Sequence, residues 1–283
     1  DNNILYAADN LGYLYAINLS TKSLLWAKNY GIPFRSNLKL VNNQLFLANQ
    51  DNVIYSVNTE TGDKNWQFAT SLTFLNSDFY NNSAVDETNK NLLFLNTNGE
   101  LYSINYLDQK VNWVLNFKSR SLAGDTDLFL SQPLTIKNDN LVLSTEEAIF
   151  NYNHVTATRK WTFRIKPVLK PVSTLNHVFI LGKNNLLICL DINSGGVIWS
   201  KNIYKEIDDN KITQKIGKFY DLKIVNGKIN LYSSNGYLLS YNFSDGKLNF
   251  HTKLSRSGIN SKIYFIDEYM YLLDGNNKLL RFN

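Results

Sequence analysis

Gln44-Leu-Phe-Leu-Ala-Asn-Gln-Asp-Asn-Val-Ile-Tyr-Ser-Val-Asn-Thr-Glu-Thr-Gly-Asp-Lys-Asn-Trp66 holds two short apolar runs, a turn between them, and a second turn ahead of an aromatic residue. Residues 44–48 and 53–57 have strand length and composition, and Asn52 between them tolerates the positive φ that a tight hairpin demands. The second run is apolar at odd and even positions alike, the pattern of a strand buried on both faces. Thr59-Glu-Thr-Gly62 is a second turn, after which the chain enters a third strand carrying Trp66. The stretch reads as a β-meander.

The same unit recurs along all 283 residues. Trp26, Trp66, Trp113, Trp161 and Trp199 are 40, 47, 48 and 38 residues apart, and Phe250 follows 51 residues later in an equivalent setting. Eight residues before each of these six aromatics stands Asn or Asp: Asn18, Asn58, Asn105, Asn153, Asp191 and Asn242. Five strand-like residues precede each, as in 13–17, 100–104 and 186–190, with a seventh copy at 278–282. Their second position is always Leu or Ile and their fourth is usually small (Ala16, Ser56, Ser103, Cys189, Ser240). The residue ahead of each run is Gly12, Asn52, Gly99, Glu147, Asn185, Gly236 or Asn277, so six of seven hairpins carry Gly or Asn there. A further strand per unit fits residues 37–41, 83–86, 132–136, 171–174, 221–225 and 261–266, and residues 204–217 are the best candidate for a short helical or irregular insert. Four antiparallel strands repeated every 40 or so residues are the signature of a β-propeller. The fold class is therefore all-β, a seven-bladed propeller of four-stranded antiparallel blades in one domain, residues 1–283. Unit one lacks a preceding strand and unit seven its last, so ring closure is expected to involve a segment outside these residues.

Composition narrows the function classes. One cysteine excludes an internal disulfide framework, and three histidines leave little stock for a Cys/His zinc site. The net charge of +5 comes from 29 Lys and Arg spread without a basic run, which argues against nucleic acid as a partner. Asn, 41 residues of it, supplies much of the polarity. No Gly-x-Ser-x-Gly elbow and no phosphate-cradling glycine loop is present.

The unit ending at Trp66 resembles the pyrroloquinoline-quinone (PQQ)-type propeller repeat, whose pattern is Ala-x-Asp-x-x-Thr-Gly-x-x-x-Trp. Val57-Asn58-Thr59-Glu60-Thr61-Gly62 with Trp66 matches it closely; Ile17-Asn18 with Trp26, and Leu190-Asp191 with Gly195 and Trp199, match it partly. The resemblance implies that each Trp docks between neighbouring blades. The enzymatic branch of that superfamily, the quinone dehydrogenases, is longer and holds calcium beside the quinone. This chain has a single Cys189 at a small-residue strand position and scattered carboxylates, so no catalytic residue, metal or cofactor is expected. The non-enzymatic branch is typified by periplasmic assembly factors of the outer-membrane barrel machinery, the BamB group. That likeness implies a non-catalytic scaffold binding the barrel-assembly subunit or a nascent outer-membrane protein, touching the membrane only through an N-terminal lipid anchor. A quinone-dependent dehydrogenase-type propeller and the ligand-sensing ectodomain of a membrane-bound regulator are the alternatives. Partner contacts in the BamB group come from loops before innermost strands, including an acidic pair shortly before a Pro. Here Leu128-Phe-Leu-Ser-Gln-Pro133 has apolar residues instead, so those contacts do not carry over.

Loops carry the function of a rigid propeller. Three connections exceed the minimum, 71–82, 117–131 and 202–219. The first two hold Phe79, Tyr80, Leu128 and Phe129 beside Arg120, a mixture favoured at protein interfaces. Arg35, in the shorter loop Pro33-Phe-Arg-Ser36, is a weaker candidate of the same kind. The repeat aromatics Trp26, Trp66, Trp113, Trp161, Trp199 and Phe250 read as structural wedges because they recur once per unit. The histidines His154, His177 and His251 share no repeat position.

Overall fold

Each repeat unit folds as an antiparallel meander whose strands hydrogen-bond in chain order. The structure, a computed structural model, describes residues 3–72, 82–117, 129, 133–207 and 210–283. Blade 2 consists of Lys39–Val41, Gln44–Ala48, Val53–Asn58 and Lys64–Ala69. Blades 3 to 6 repeat this four-stranded order, starting at Asn82–Asp86, Thr135–Lys137, Val172–Ser173 and Phe219–Val225. Blade 1 (Ile4–Ala8, Tyr13–Asn18, Ser23–Asn29) and blade 7 (Tyr264–Ile266, Tyr269–Leu273, Leu279–Phe282) show three strands each among the described residues. The fold is a seven-bladed β-propeller. The insert at 204–217 contains the one helix among the described residues, Asn210–Lys215.

Turn chemistry explains why the units fold alike. Gly12, Asn52, Gly99, Asn185, Gly236 and Asn277 all have positive φ, between 59° and 87°, as the hairpins require. The second turn is built on the recurring Asn or Asp. Its side-chain oxygen accepts the N–H groups two and three residues on, as Asn58 does from Glu60 and Thr61 and Asp191 from Asn193 and Ser194. Four residues before the aromatic the backbone is left-handed in all six units, at Lys22, Gly62, Gln109, Ala157, Gly195 and Gly246.

The small fourth position of the third strand has a packing cause. Ala16, Ser56, Ser103, Asn151, Cys189 and Ser240 lie directly opposite Trp26, Trp66, Trp113, Trp161, Trp199 and Phe250, and the register shifts at that residue in every case. A bulge that sets a large ring over a small neighbour re-aims the ring along the blade.

First strands start later than the sequence pattern suggests in three blades: Lys39, Thr135 and Tyr264 rather than 37, 132 and 261. Proline sets one further start, since Pro171 has no N–H and the strand begins at Val172.

By contact density the chain forms two compact units, Asp1–Ile136 with His154–Ala157, and Lys137–Asn153 with Thr158–Asn283. In the first, one core joins Phe46 and Ile54 of blade 2 to Leu92, Phe94 and Ile104 of blade 3. In the second, Phe179, Leu187 and Cys189 of blade 5 pack with Ile229, Leu239 and Tyr241 of blade 6. Cores therefore lie between blades, and removing them from water is the main stabilising term.

Candidate protein-binding face

Antiparallel order fixes where functional loops lie. The connection from one blade to the next emerges at the same end as the hairpin joining second and third strands, and the two touch. In the first unit Phe34 bridges Asn49, Arg35 N–H donates to Ala48 O (2.9 Å) and Gln50 N–H to Pro33 O (2.9 Å). In the second unit Pro167 bridges Gly182, and Ile259 bridges Asp274.

Around blade 3 this end is held by a buried polar network. Asn52, fully buried with φ 62°, accepts on Oδ1 from the N–H (3.3 Å) and Oγ1 (3.1 Å) of Thr97, and donates to Ser71 O (3.2 Å). Thr70 Oγ1 donates to Asn52 O, and Asn96 Nδ2 donates to both Thr70 Oγ1 and Glu100 Oε2. Glu100 also receives Ser71 Oγ and Tyr102 Oη, while Asn98 Nδ2 donates to Ser71 O and Leu72 O. The start of the 71–82 connection is thus bonded to two hairpins at once. Phe129 N–H donates to Thr97 O (3.1 Å), and its ring lies 6.4 Å from that of Phe117, so the second long connection meets the same hairpin.

Of the expected partner-binding residues, Phe129 and Arg35 are half-buried at this end. Phe79, Tyr80, Arg120 and Leu128 lie outside the described residues. Sequence reasoning missed Asn52, Thr70, Asn96, Thr97 and Glu100. Asn52 was visible only as a turn residue, since its partner Thr97 is 45 positions away.

The aromatics divide into three groups. Trp26 Nε1 donates to Thr59 O (3.0 Å), Trp161 to Ile192 O (2.7 Å) and Trp199 to Phe243 O (3.2 Å), each on the second turn of the following blade. Each ring lies on that turn's glycine. A Cβ at Gly62, Gly195 or Gly246 would come within 2.5 to 2.6 Å of Trp26, Trp161 or Trp199. Where the following turn carries Gln109 or Ala157 instead, the indole N–H of Trp66 and Trp113 is buried without a hydrogen-bond partner among the described residues. A side chain there occupies the place that the glycine leaves open to the ring in the other units. Phe250 departs from the expected wedge: it is 46% exposed, because blade 7 offers no third-to-fourth turn among the described residues to cover it.

Cys189 is buried against this packing, which pushes its thiol up to about 12. His154 Nδ1 lies 3.3 Å from Asp86 Oδ2, both buried, and His177 packs edge-on to Phe243. His251 lies within the strand Leu248–Lys253. Among the described residues no three Asp, Glu, His or Cys groups converge.

Bulged meanders, Asn-initiated turns and Trp-on-turn docking define a propeller of the PQQ-type repeat. The family model described as "Outer membrane protein assembly factor BamB" matches residues 1–201 and again 84–283, and the chain belongs to that family. It is similar to the factor of that name from Moranella endobia, 21% identical over 270 residues, covering 87% of this chain and 63% of the relative. The Yersinia pestis factor is 20% identical over 266 residues, covering 86% and 62%. The chain thus spans less than two thirds of these relatives' length. Among solved structures, BamB from Moraxella catarrhalis superposes with a TM-score of 0.77 at 12% identity, over 99% of this chain and 81% of that one. The likeness in structure is one of fold.

Proposed function

We propose that the chain is a non-catalytic, periplasmic protein-binding scaffold in outer-membrane β-barrel assembly, acting as one propeller domain. The barrel-assembly subunit or a nascent outer-membrane protein is its partner. Family membership supports the setting. The observation that carries the reading is the Asn52–Thr97 network with the Phe129 bond, which roots both long connections of blade 3 on one rigid end. Such rooting fixes described points of both connections, at Ser71, Leu72 and Phe129, and fixed points lower the ordering cost of association. The test is capture of the barrel-assembly subunit by immobilised chain. The double variant Phe129→Ala, Arg120→Ala is expected to bind at least about tenfold more weakly with an unchanged melting midpoint, the loss of one or two interface anchors. Equal capture by the variant defeats the assignment of the face.

A further inference from the structure

The loop end of blade 6 forms a donor-lined cradle. A cavity of about 360 Å³ opens there between Gln214, Lys215, Asn235, Lys253, Arg256 and Gly258. Its walls are three chain segments tied together through the backbone. Asn235 Nδ2 donates to Lys215 O (2.8 Å), Lys218 N–H to Ser234 Oγ (3.0 Å), Leu254 N–H to Gly236 O (2.8 Å) and Ile259 N–H to Ser234 O (3.0 Å). Gly258, at φ +92°, makes the approach possible, since a Cβ there would lie 2.4 Å from Ser234 O.

The lining is one-sided in charge. Lys215, Lys253 and Arg256 contribute three cations, and among the described residues no carboxylate lines the cavity. None of the three takes part in an ion pair among the described residues. The nearby carboxylate, Asp274, is already engaged by Ser257 Oγ (2.9 Å) and by the N–H groups of Asn276 and Lys278 (both 2.9 Å). Lys253 Nζ stands 5.1 Å from the centroid of Tyr237, which steadies its ammonium beside the cavity. Lys215, Lys253 and Arg256 are exposed on the rim of one cavity, so an anion entering it meets three cations. The arginine fork suits a phosphate's paired oxygens, and a lysine supplies a compact charge to a third. A carboxylate has two oxygens in one plane and satisfies fewer of these donors.

We propose that this cradle binds a phosphate group, as free inorganic phosphate or as the phosphate of a lipid headgroup. Two probes test it on the full chain at constant ionic strength: inorganic phosphate by titration calorimetry, and co-sedimentation with phosphatidylcholine vesicles with and without phosphatidylglycerol. Saturable binding is expected, weakened at least tenfold in Lys253→Gln, Arg256→Gln. A second pair, Lys215→Gln, Arg256→Gln, is expected to do the same, and the charge-matched pair Lys22→Gln, Lys64→Gln to leave binding intact. Each pair lowers the net charge of +5 by two. Co-sedimentation that free phosphate competes away assigns the headgroup, while phosphate binding without co-sedimentation assigns the free ion. No saturable binding of either probe, an equal loss in the charge-matched pair, or tighter binding of a poly-glutamate peptide than of either probe overturns the proposal.

Discussion

Replacing Gly195 by alanine tests how the blades are locked together. The new Cβ would lie 2.6 Å from Cγ and 2.7 Å from Cδ2 of Trp161, atoms of a ring that is 8% exposed and bonded through its N–H to Ile192 O. Three effects add: a left-handed φ of 71°, overpacking against the ring, and loss of the indole hydrogen bond. At roughly 1 kcal/mol for the backbone, 1 to 3 for overpacking and 1 or more for a buried donor left unpaired, Gly195→Ala should cost about 3 to 5 kcal/mol. Gly31 is the control, because its φ is +80° and a Cβ there meets nothing within 4 Å, so Gly31→Ala should cost only about 1 kcal/mol. Trp161→Ala alone should cost about 3 to 5 kcal/mol, and in that background Gly195→Ala should fall to the control's value. The converse substitution sharpens the test. Ala157→Gly relieves the strain of φ 58° and lets Trp113 reach its carbonyl, so it should stabilise by about 1 to 2 kcal/mol. Urea unfolding followed by tryptophan fluorescence and circular dichroism measures all five proteins. If Gly195→Ala costs no more than Gly31→Ala, or Ala157→Gly destabilises, the lock as described is wrong.

The loop-rooting network predicts that Asn52→Ala loses about 2 to 4 kcal/mol, since it strands the buried N–H of Thr97 and removes a residue suited to φ 62°. Asn52→Gly keeps the backbone and isolates the side-chain share; a change under about 0.5 kcal/mol in both would mean the network holds nothing, being no more than a typical surface substitution. Alkaline stability follows from buried acids whose protons the fold retains. Burial pushes Cys189 to about 12, and burial followed by the nearby Asp63 charge pushes Tyr30 to about 12; Tyr232 and Tyr241 are raised further, chiefly by burial. Unfolded, the thiol releases its proton near 9.0 and the phenols near 10.0, so the unfolded state binds fewer protons above those values. Stability is fully present below pH 9 and falls as pH rises toward 12, which urea midpoints at pH 8, 9.5 and 11 would record; a midpoint that stays level or rises contradicts the burial of these groups. The same burial leaves Cys189 inert to a thiol reagent at pH 8 until urea unfolds the chain.

How much of this was legible in the sequence depends on the range over which each feature is encoded. Hairpins and second turns are decided within about five residues, so Gly or Asn at six positions and the Asn or Asp eight before each aromatic located them in advance. The small residue opposite each Trp was visible as a pattern, its cause only in the register. Links across 45 residues, such as Asn52 to Thr97, leave no local mark. The departures from the repeat are informative in a different way. Gln109 and Ala157 replace the docking glycine in blades 3 and 4, so the Trp hydrogen bond is missing for Trp66 and Trp113, on the two sides of blade 3. Blade 3 is also the blade flanked by the connections 71–82 and 117–131. Polar links stand where the indole bonds are absent: Asn52 with Thr97 on one side, Asp86 with His154 on the other. Such links are lost to a single polar-to-apolar change, as an indole lock is lost to a single glycine-to-alanine change. The blade that carries the proposed binding loops is therefore joined to its neighbours by polar side-chain links beside its apolar core, where the other Trp seams add an indole hydrogen bond on a glycine turn.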